Sequence, residues 1–240
     1  MMFRNNDTSD GGRPVLITAP DYNATPVVSL AQLKAALGIT STSQDAILTA
    51  ALGAAIAALD PSTGGWLGRA LSPQTWELQL RDFNDRRPSQ RPYYNPLAIP
   101  LPYPPLISIT SVKYLDATGT DVPMTLGTDY RILGQADLMA RPAIAPLYSK
   151  TWPVALRDDA SVRIRYTCGY DATGIRTAPA QLSSAICLGV RALLPVLSRD
   201  GMIAEDRVEG IGWKKYQNNP QFADVIKSAV ANLLVNLSVA

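Results

Sequence analysis

Few residues in this chain have the types and spacing to do covalent chemistry. Ser183-Ser184, Cys168 and Cys187 are the candidate nucleophiles, and Asp158-Asp159 and Glu205-Asp206 are the paired carboxylates that could act as acid, base or metal ligand. A hydroxyl or thiol needs a neighbouring base to become nucleophilic, most often a histidine. The sequence contains no histidine, which removes Ser-His-Asp and Cys-His mechanisms together with the commonest metal ligand. Adjacent carboxylates on an extended segment point to opposite sides and do not readily converge on one ion, so both pairs read as solvated turns. Gly64-Gly65-Trp66-Leu67-Gly68 superficially suggests a phosphate loop, but neither a GxxxxGKS/T motif nor a GxGxxG after a strand is present. The sequence therefore predicts no catalytic residue, no cofactor, no cofactor-binding residue and no metal site.

Recognition of partners is better represented. Sixteen of the 22 basic residues are arginine, whose planar fork makes it the basic residue enriched at protein interfaces. Arg86, Arg87, Arg91, Tyr93 and Tyr94 fall in a proline-bearing stretch, residues 84–96, that reads as a long projecting connection, either a solvated loop or a binding loop. Trp213, followed by Lys214, Lys215 and Tyr216, lies in a charged, glycine-containing segment (200–218) read as a linker, and is a candidate partner-facing anchor. Phe222 and Ile226 begin the apolar stripe Phe222, Ile226, Val230, Leu233, Leu237 of a C-terminal helix opening at Pro220. Trp76 and Trp152 sit in contexts that predict burial.

The elements that must position these residues follow from composition and periodicity. The chain has 240 residues, 47% hydrophobic and 18% charged, with 22 basic against 20 acidic side chains. Such a chain can bury a core of its own. Its near-neutral balance lacks the basic excess that sequence-specific DNA binding draws on. The longest apolar run, residues 46–59, is short of the ~20 residues a bilayer crossing needs. Met1 to Asp7 carry no apolar signal core, and the two cysteines lack CxxC spacing, so buried free thiols are expected.

Residues 1–14 read as a flexible arm, followed by a short strand at Val15-Leu16-Ile17. Ser29 predicts an N-cap and Gly38 a left-handed stop for a two-turn helix. Thr42 and Asp45 resemble a capping box ahead of a second helix, which Pro61 ends. From Ser72 the period changes to two: Trp76, Leu78 and Leu80 alternate with Glu77, Gln79 and Arg81. Further strands are expected at 97–101, 107–115, 122–126, 130–133, 143–147 and 162–167, with a hairpin turn at Asp116-Ala117-Thr118-Gly119. Pro179 then opens a helix carrying Leu182, Ile186, Val190, Leu193, Leu194 and Leu197, kinked or ended late by Pro195. Helices, then strands, then helices is an α+β order.

In this order the residues resemble the head-to-tail connector, or adaptor, proteins of long-tailed double-stranded DNA phages and related gene transfer agents. The resemblance runs from about Val27 to Thr177. It rests on Val28-Ser29-Leu30-Ala31-Gln32-Leu33-Lys34-Ala35-Ala36-Leu37, the Gly64 to Leu71 turn with Pro73-Gln74-Thr75-Trp76, and Ile99-Pro100-Leu101-Pro102 with Pro104 to Val112. Tyr114-Leu115-Asp116 with Gly119, Trp152-Pro153 and Tyr166-Thr167-Cys168-Gly169-Tyr170 complete it. It implies a helical base (N- and C-terminal helices) with an inserted antiparallel β-rich domain, divided as arm and short strand 1–26, helices 27–71, β-rich domain 72–177, and C-terminal helices with a portal-facing segment 178–240. It also implies a non-enzymatic virion protein at the head-tail junction, assembled in the bacterial cytoplasm, forming a closed ring of about twelve copies. The implied partners are the portal ring, further adaptor subunits, and stopper or tail proteins, with DNA passing through the channel without sequence-specific binding and no membrane. The arm looks longer than usual for that family, and the stretch after Arg199 departs from its pattern. The competing expectations are a tail-completion or stopper protein, a β-rich carbohydrate-binding module suggested by the tyrosines and tryptophans, and an enzyme with a lysine or carboxylate base. The C-terminal stripe is expected to dock on the portal or a neighbouring subunit, or else on the helix around Leu182 to Leu197.

Overall fold

The computed structural model describes residues 12–22, 24, 26–84, 95–137, 140–171, 177–197, 205–208, 212–215, 228–235 and 237–238. After an initial strand β1 (Arg13–Thr18) comes helix α1 (Leu30–Leu37), bounded as its sequence predicts. The Ser29 hydroxyl accepts a bond from the Gln32 backbone N–H, and the Gln32 side chain accepts one from the Ser29 N–H, a reciprocal capping box. Gly38 ends the helix at φ +70. Helix α2 (Asp45–Ala57) has no such cap, contrary to the expectation at Thr42. Asp is one methylene shorter than the Glu that normally reaches back, and here the Asp45 carboxylate accepts from Lys34 Nζ at 2.7 Å, tying α2 to α1. Asp60 is extended, as a residue before proline should be, and opens a 3-10 turn at Pro61–Thr63.

The remaining elements are β2 (Gln74–Leu80), β3 (Ile99–Pro100), β4 (Leu106–Leu115), β5 (Asp121–Met124), β6 (Tyr130–Leu133), β7 (Ala143–Pro146), β8 (Val162–Cys168) and α3 (Ala180–Leu197). A hairpin of β9 (Glu205–Val208) and β10 (Gly212–Lys215) and a helix α4 (residues 228–234) follow. The molecule is α+β, and among the described residues all strand pairs are antiparallel. One sheet has the order β1-β2-β8-β4-β5 and a second the order β3-β7-β6. Both edge strands of the larger sheet contain a proline, Pro14 in β1 and Pro123 in β5. Prolines there blunt the edge against the addition of a further strand.

Two cores result. Leu33 of α1, Leu48, Ala51, Leu52 and Ile56 of α2, Leu182, Ile186 and Val190 of α3, and Leu234 and Leu237 at the C-terminal end bury one another. The second core lies among the strands, where Trp76, Leu78, Leu80, Val112, Val162, Ile164 and Tyr166 meet Ile99, Tyr130 and Ile144 of the smaller sheet. Phe83 and Trp152 stack within it, their ring centroids 4.7 Å apart and their planes within 5°.

Several expectations are corrected. Arg13 and Pro14 are not arm, because the ladder to β2 already pairs them with Gln79 and Leu78. The segment read as a linker holds the β9–β10 hairpin, whose register sets Lys214 opposite Asp206 and Lys215 opposite Glu205. A glycine between two short stretches with complementary charges is hairpin chemistry, masked in the sequence by the high overall polarity.

A buried carboxylate joins the two cores. Asp60 is fully buried; it accepts bonds from the Ser62 N–H (2.9 Å) and hydroxyl, from the Leu71 N–H (2.8 Å) and from the Gln74 amide (3.0 Å). Gln74 is the first residue of β2, and its carbonyl oxygen accepts from Trp76 Nε1 at 3.1 Å. One side chain just after α2 thus holds the start of β2. Gly169, at φ +127, passes so close that a Cβ there would lie 2.3 Å from the Ser72 carbonyl oxygen, a place only glycine can occupy.

Candidate interaction surfaces

The described part of the C-terminal stripe is covered by the chain itself. Leu234 and Leu237 are buried in the helical core, with Val230 and Leu233 packed against it. Arg69, itself buried, donates from Nε to the Leu237 carbonyl. From Val230 onward the stripe thus packs with the helix around Leu182 to Leu197, the second of its two expected covers, which corrects the expectation of docking there.

Of the candidate interface residues, Trp213, Lys214 and Lys215 stand on β10, paired with Arg207, Asp206 and Glu205 of β9. Tyr216, Phe222, Ile226, Arg86, Arg87, Arg91, Tyr93 and Tyr94 lie outside the described residues. The anchors of the 85–94 connection are described. On one side Phe83 stacks on Trp152; on the other the Leu97 carbonyl accepts from Trp152 Nε1 at 2.7 Å. One tryptophan thereby clamps both ends, beside an open groove of about 320 Å³ that includes Asp82, Thr151 and Val154 in its lining.

The exposed apolar groups were not legible as such. Val154 is 90% exposed, Tyr148 74%, and Trp66 and Leu126 about half. The Arg131 guanidinium lies 4.0 Å from the Tyr148 ring centroid, an attractive cation–π placement made of the two residue types that dominate protein interfaces.

The larger sheet turns its other face away from the core. Cross-strand rungs run Arg13–Gln79–Arg163–Lys113–Pro123 and Val15–Glu77–Arg165–Ser111, with Thr75, Thr167 and Ser108 on a third. Two N–H groups of Arg165 reach one oxygen of Glu77, at 3.1 and 2.8 Å, and Arg163 bonds Asp121. Burial alone would raise the Glu77 carboxyl, but bonds from Gln79 and Arg165 and the charges of Arg165 and Arg163 outweigh it and hold the group below its ordinary value. Among the described residues, no anion pairs with Arg13 or Lys113.

The groups singled out for covalent chemistry are dispersed. Cys168 is buried and Cys187 half-buried, both free thiols. Burial, reinforced by the Asp60 carboxylate, pushes the Cys168 thiol well above its ordinary value, away from the reactive thiolate. Asp158 and Asp159 are exposed, the latter 3.5 Å from Arg81. Among the described residues no three His, Cys, Asp or Glu side chains gather in a metal-binding group, and no helix is long and apolar enough to cross a membrane.

Comparison with solved structures finds six similar chains, among them three from gene transfer agent particles. One belongs to the neck of an empty gene transfer agent particle computed with C6 symmetry: TM-score 0.57, 20% identity, covering 95% of this chain and 96% of that one. The chain has the fold of a gene transfer agent neck chain. A chain of the neck of a native particle computed with C12 symmetry matches at TM-score 0.55 and 21% identity over 95% and 96%. A chain of the virion of a native particle matches at TM-score 0.55 and 21% identity over 92% and 94%. No family model and no curated protein matches. Near-complete coverage in both directions means that this neck fold includes the helices and the sheets alike.

Proposed function

We propose that the chain is a head-to-tail adaptor: a structural virion protein that forms a ring beneath the portal, extends the DNA channel and gives the tail its platform. The observation that carries this reading is the likeness of nearly the whole chain to neck chains of gene transfer agent particles, joined to the ordered motifs from Val28 to Tyr170. In this reading residues 27–71 and 178–240 form the helical base, 72–177 the inserted β-rich domain, and 1–26 an arm whose last part is β1. The C6 and C12 symmetry of the similar necks supports a ring of about twelve copies closed by heterologous contacts. The blunted edges of the larger sheet favour contacts between side-chain faces over strand addition. Trp213, Lys214 and Lys215 on the hairpin, with Tyr216, Phe222 and Ile226 beyond it, form the portal-facing segment, and Arg86, Arg87, Arg91, Tyr93 and Tyr94 contact a neighbouring subunit or a tail protein. The protein works without catalytic turnover, is assembled in the bacterial cytoplasm and resides in the particle.

Electron cryo-microscopy of particles assembled with an epitope-tagged copy tests this. Antibody-labelled density in a symmetric ring between portal and tail is expected. Label on the capsid surface or at the tail tip, or particles with complete necks that lack the chain, would overturn the assignment.

A further inference from the structure

We infer that the outward face of the five-stranded sheet is a sequence-independent seat for the phosphodiester backbone of double-stranded DNA. The inference rests on the adaptor reading, which brings DNA to the protein, and it names the surface that meets it. Register places Arg13, Arg163 and Lys113 on one rung and Arg165 on the next, so four cations face the two carboxylates Glu77 and Asp121. Adjacent strands lie ~5 Å apart and alternate residues ~7 Å apart along a strand, so these cations cover a patch comparable with a few successive phosphates. The two carboxylates are already engaged by Arg165 and Arg163. The surplus charge therefore sits on Arg13 and Lys113, both exposed.

The other residues of the face decide between nucleic acid and an acidic protein. Thr75, Thr167, Ser108 and Ser111 place hydroxyls among the cations, and Arg, Lys, Ser and Thr are the side chains that contact phosphate oxygens without reading sequence. A protein interface of this size is centred on aromatic or aliphatic anchors in pockets. Register puts no aromatic residue on this face; its aliphatic members Val15 and Leu115 are half-buried, on the edge strand and at the end of β4, and the exposed Tyr148 and Trp66 belong to turns outside the sheet. Hydroxylated and locally cationic within a near-neutral chain, the face attracts a polyanion weakly. A weak, salt-sensitive contact repeated around a ring guides DNA without holding it.

The test uses the purified full chain and a fluorescent random-sequence duplex, with anisotropy followed over a series of low salt concentrations. Binding is expected to be independent of sequence and to weaken steeply with salt. Arg13→Glu/Lys113→Glu, confirmed folded by circular dichroism, should weaken it at least tenfold at low salt and reduce the slope of log K against log salt by about 2, since each lost phosphate contact contributes ~0.9. Lys150→Glu/Arg191→Glu changes the net charge equally at exposed positions outside the sheet, after β7 and on α3, and should weaken binding much less. Equal losses in both double variants, no loss in the first, or an intact DNA affinity accompanied by loss of self-association or portal binding would each overturn the inference. A chain located in necks yet without DNA affinity refutes this inference alone, whereas DNA affinity in a chain absent from necks refutes the adaptor reading.

Discussion

The helical core and the sheet core of this protein differ in material and in origin. The helical core is aliphatic apart from Tyr170, and its members come from segments far apart in the chain: Leu33 and Leu48 near one end, Leu234 and Leu237 near the other. The sheet core sets the rings of Trp76, Phe83, Tyr130, Trp152 and Tyr166 among its aliphatic residues, and apart from β1 it is drawn from one continuous stretch between Ala70 and Cys168. A core assembled from distant segments depends on whichever segment arrives last. One drawn from a single stretch of chain contains most of its own contacts. The helical core is therefore where the fold is open to disruption from its C-terminal end, and the sheets are the more self-contained part.

The most severe way to break that contrast is to remove the latecomer. Leu234→Ala should cost about 2–5 kcal/mol, the range for a fully buried leucine, while Leu233→Ala, only partly buried, should cost clearly less. Urea unfolding in a Trp66→Phe/Trp213→Phe background, followed by far-ultraviolet circular dichroism for the helices and tryptophan fluorescence for the sheets, separates the two cores, because the remaining Trp76 and Trp152 belong to the second. Early loss of helix with the fluorescence transition unmoved supports the contrast; one transition shifted equally in both signals shows a single cooperative unit.

A smaller perturbation addresses the seam. Asp60→Asn turns an acceptor of four groups, the Ser62 N–H and hydroxyl, the Leu71 N–H and the Gln74 amide, into a side chain that must aim an NH2 at donors. The expected cost is about 1–3 kcal/mol, that of stranding a buried polar group. If Asp60 couples the cores, the two spectroscopic transitions should also separate in this variant. Coincident transitions would make the seam no more than a local knot.

The smallest effect belongs to the outward face of the sheet. Glu77 is held below its ordinary value by Gln79 and Arg165 against the opposing pull of burial. Its contribution is thus complete above the unfolded carboxylate pKa and fades as pH falls through the lower folded value. Glu77→Gln should lower stability by about 1 kcal/mol at neutral pH and flatten the acid side of the stability profile, with little difference from the parent once both are measured below that range. An unchanged acid limb in thermal melts would show that the pair with Arg165 contributes nothing.

What the sequence made legible was local. Ser29 and Gly38 mark both ends of α1 because a cap and a left-handed stop involve only neighbouring residues. Residues 130–133 form β6 with the expected bounds, and Trp76 and Trp152 are buried as their contexts imply. The β9–β10 hairpin was missed because charged residues mask short strands whose pairing is backbone to backbone. The role of Asp60 was also hidden: its spacing announces a helix end, and nothing local states that Gln74 returns to meet it. The exposed Tyr148 and Val154 likewise have no periodic signature, since they follow β7 in irregular segments.

The absence of histidine, the period-two alternation from Trp76 onward and the capping signals belong to the sequence alone, because composition and short-range sterics need no partner. That composition bounds the chemistry before any fold is known. Alternation says that a strand has two faces, but not which strands lie beside it. Only the tertiary structure set β8 between β2 and β4, joining Glu77 to Arg165 and Arg163 to Lys113 across residues far apart in the chain. The same holds for the C-terminal stripe, whose amphipathic spacing required a cover without specifying it. For Val230, Leu233 and Leu237 the cover is the chain's own helical core, because packing there removes apolar surface from water within one molecule.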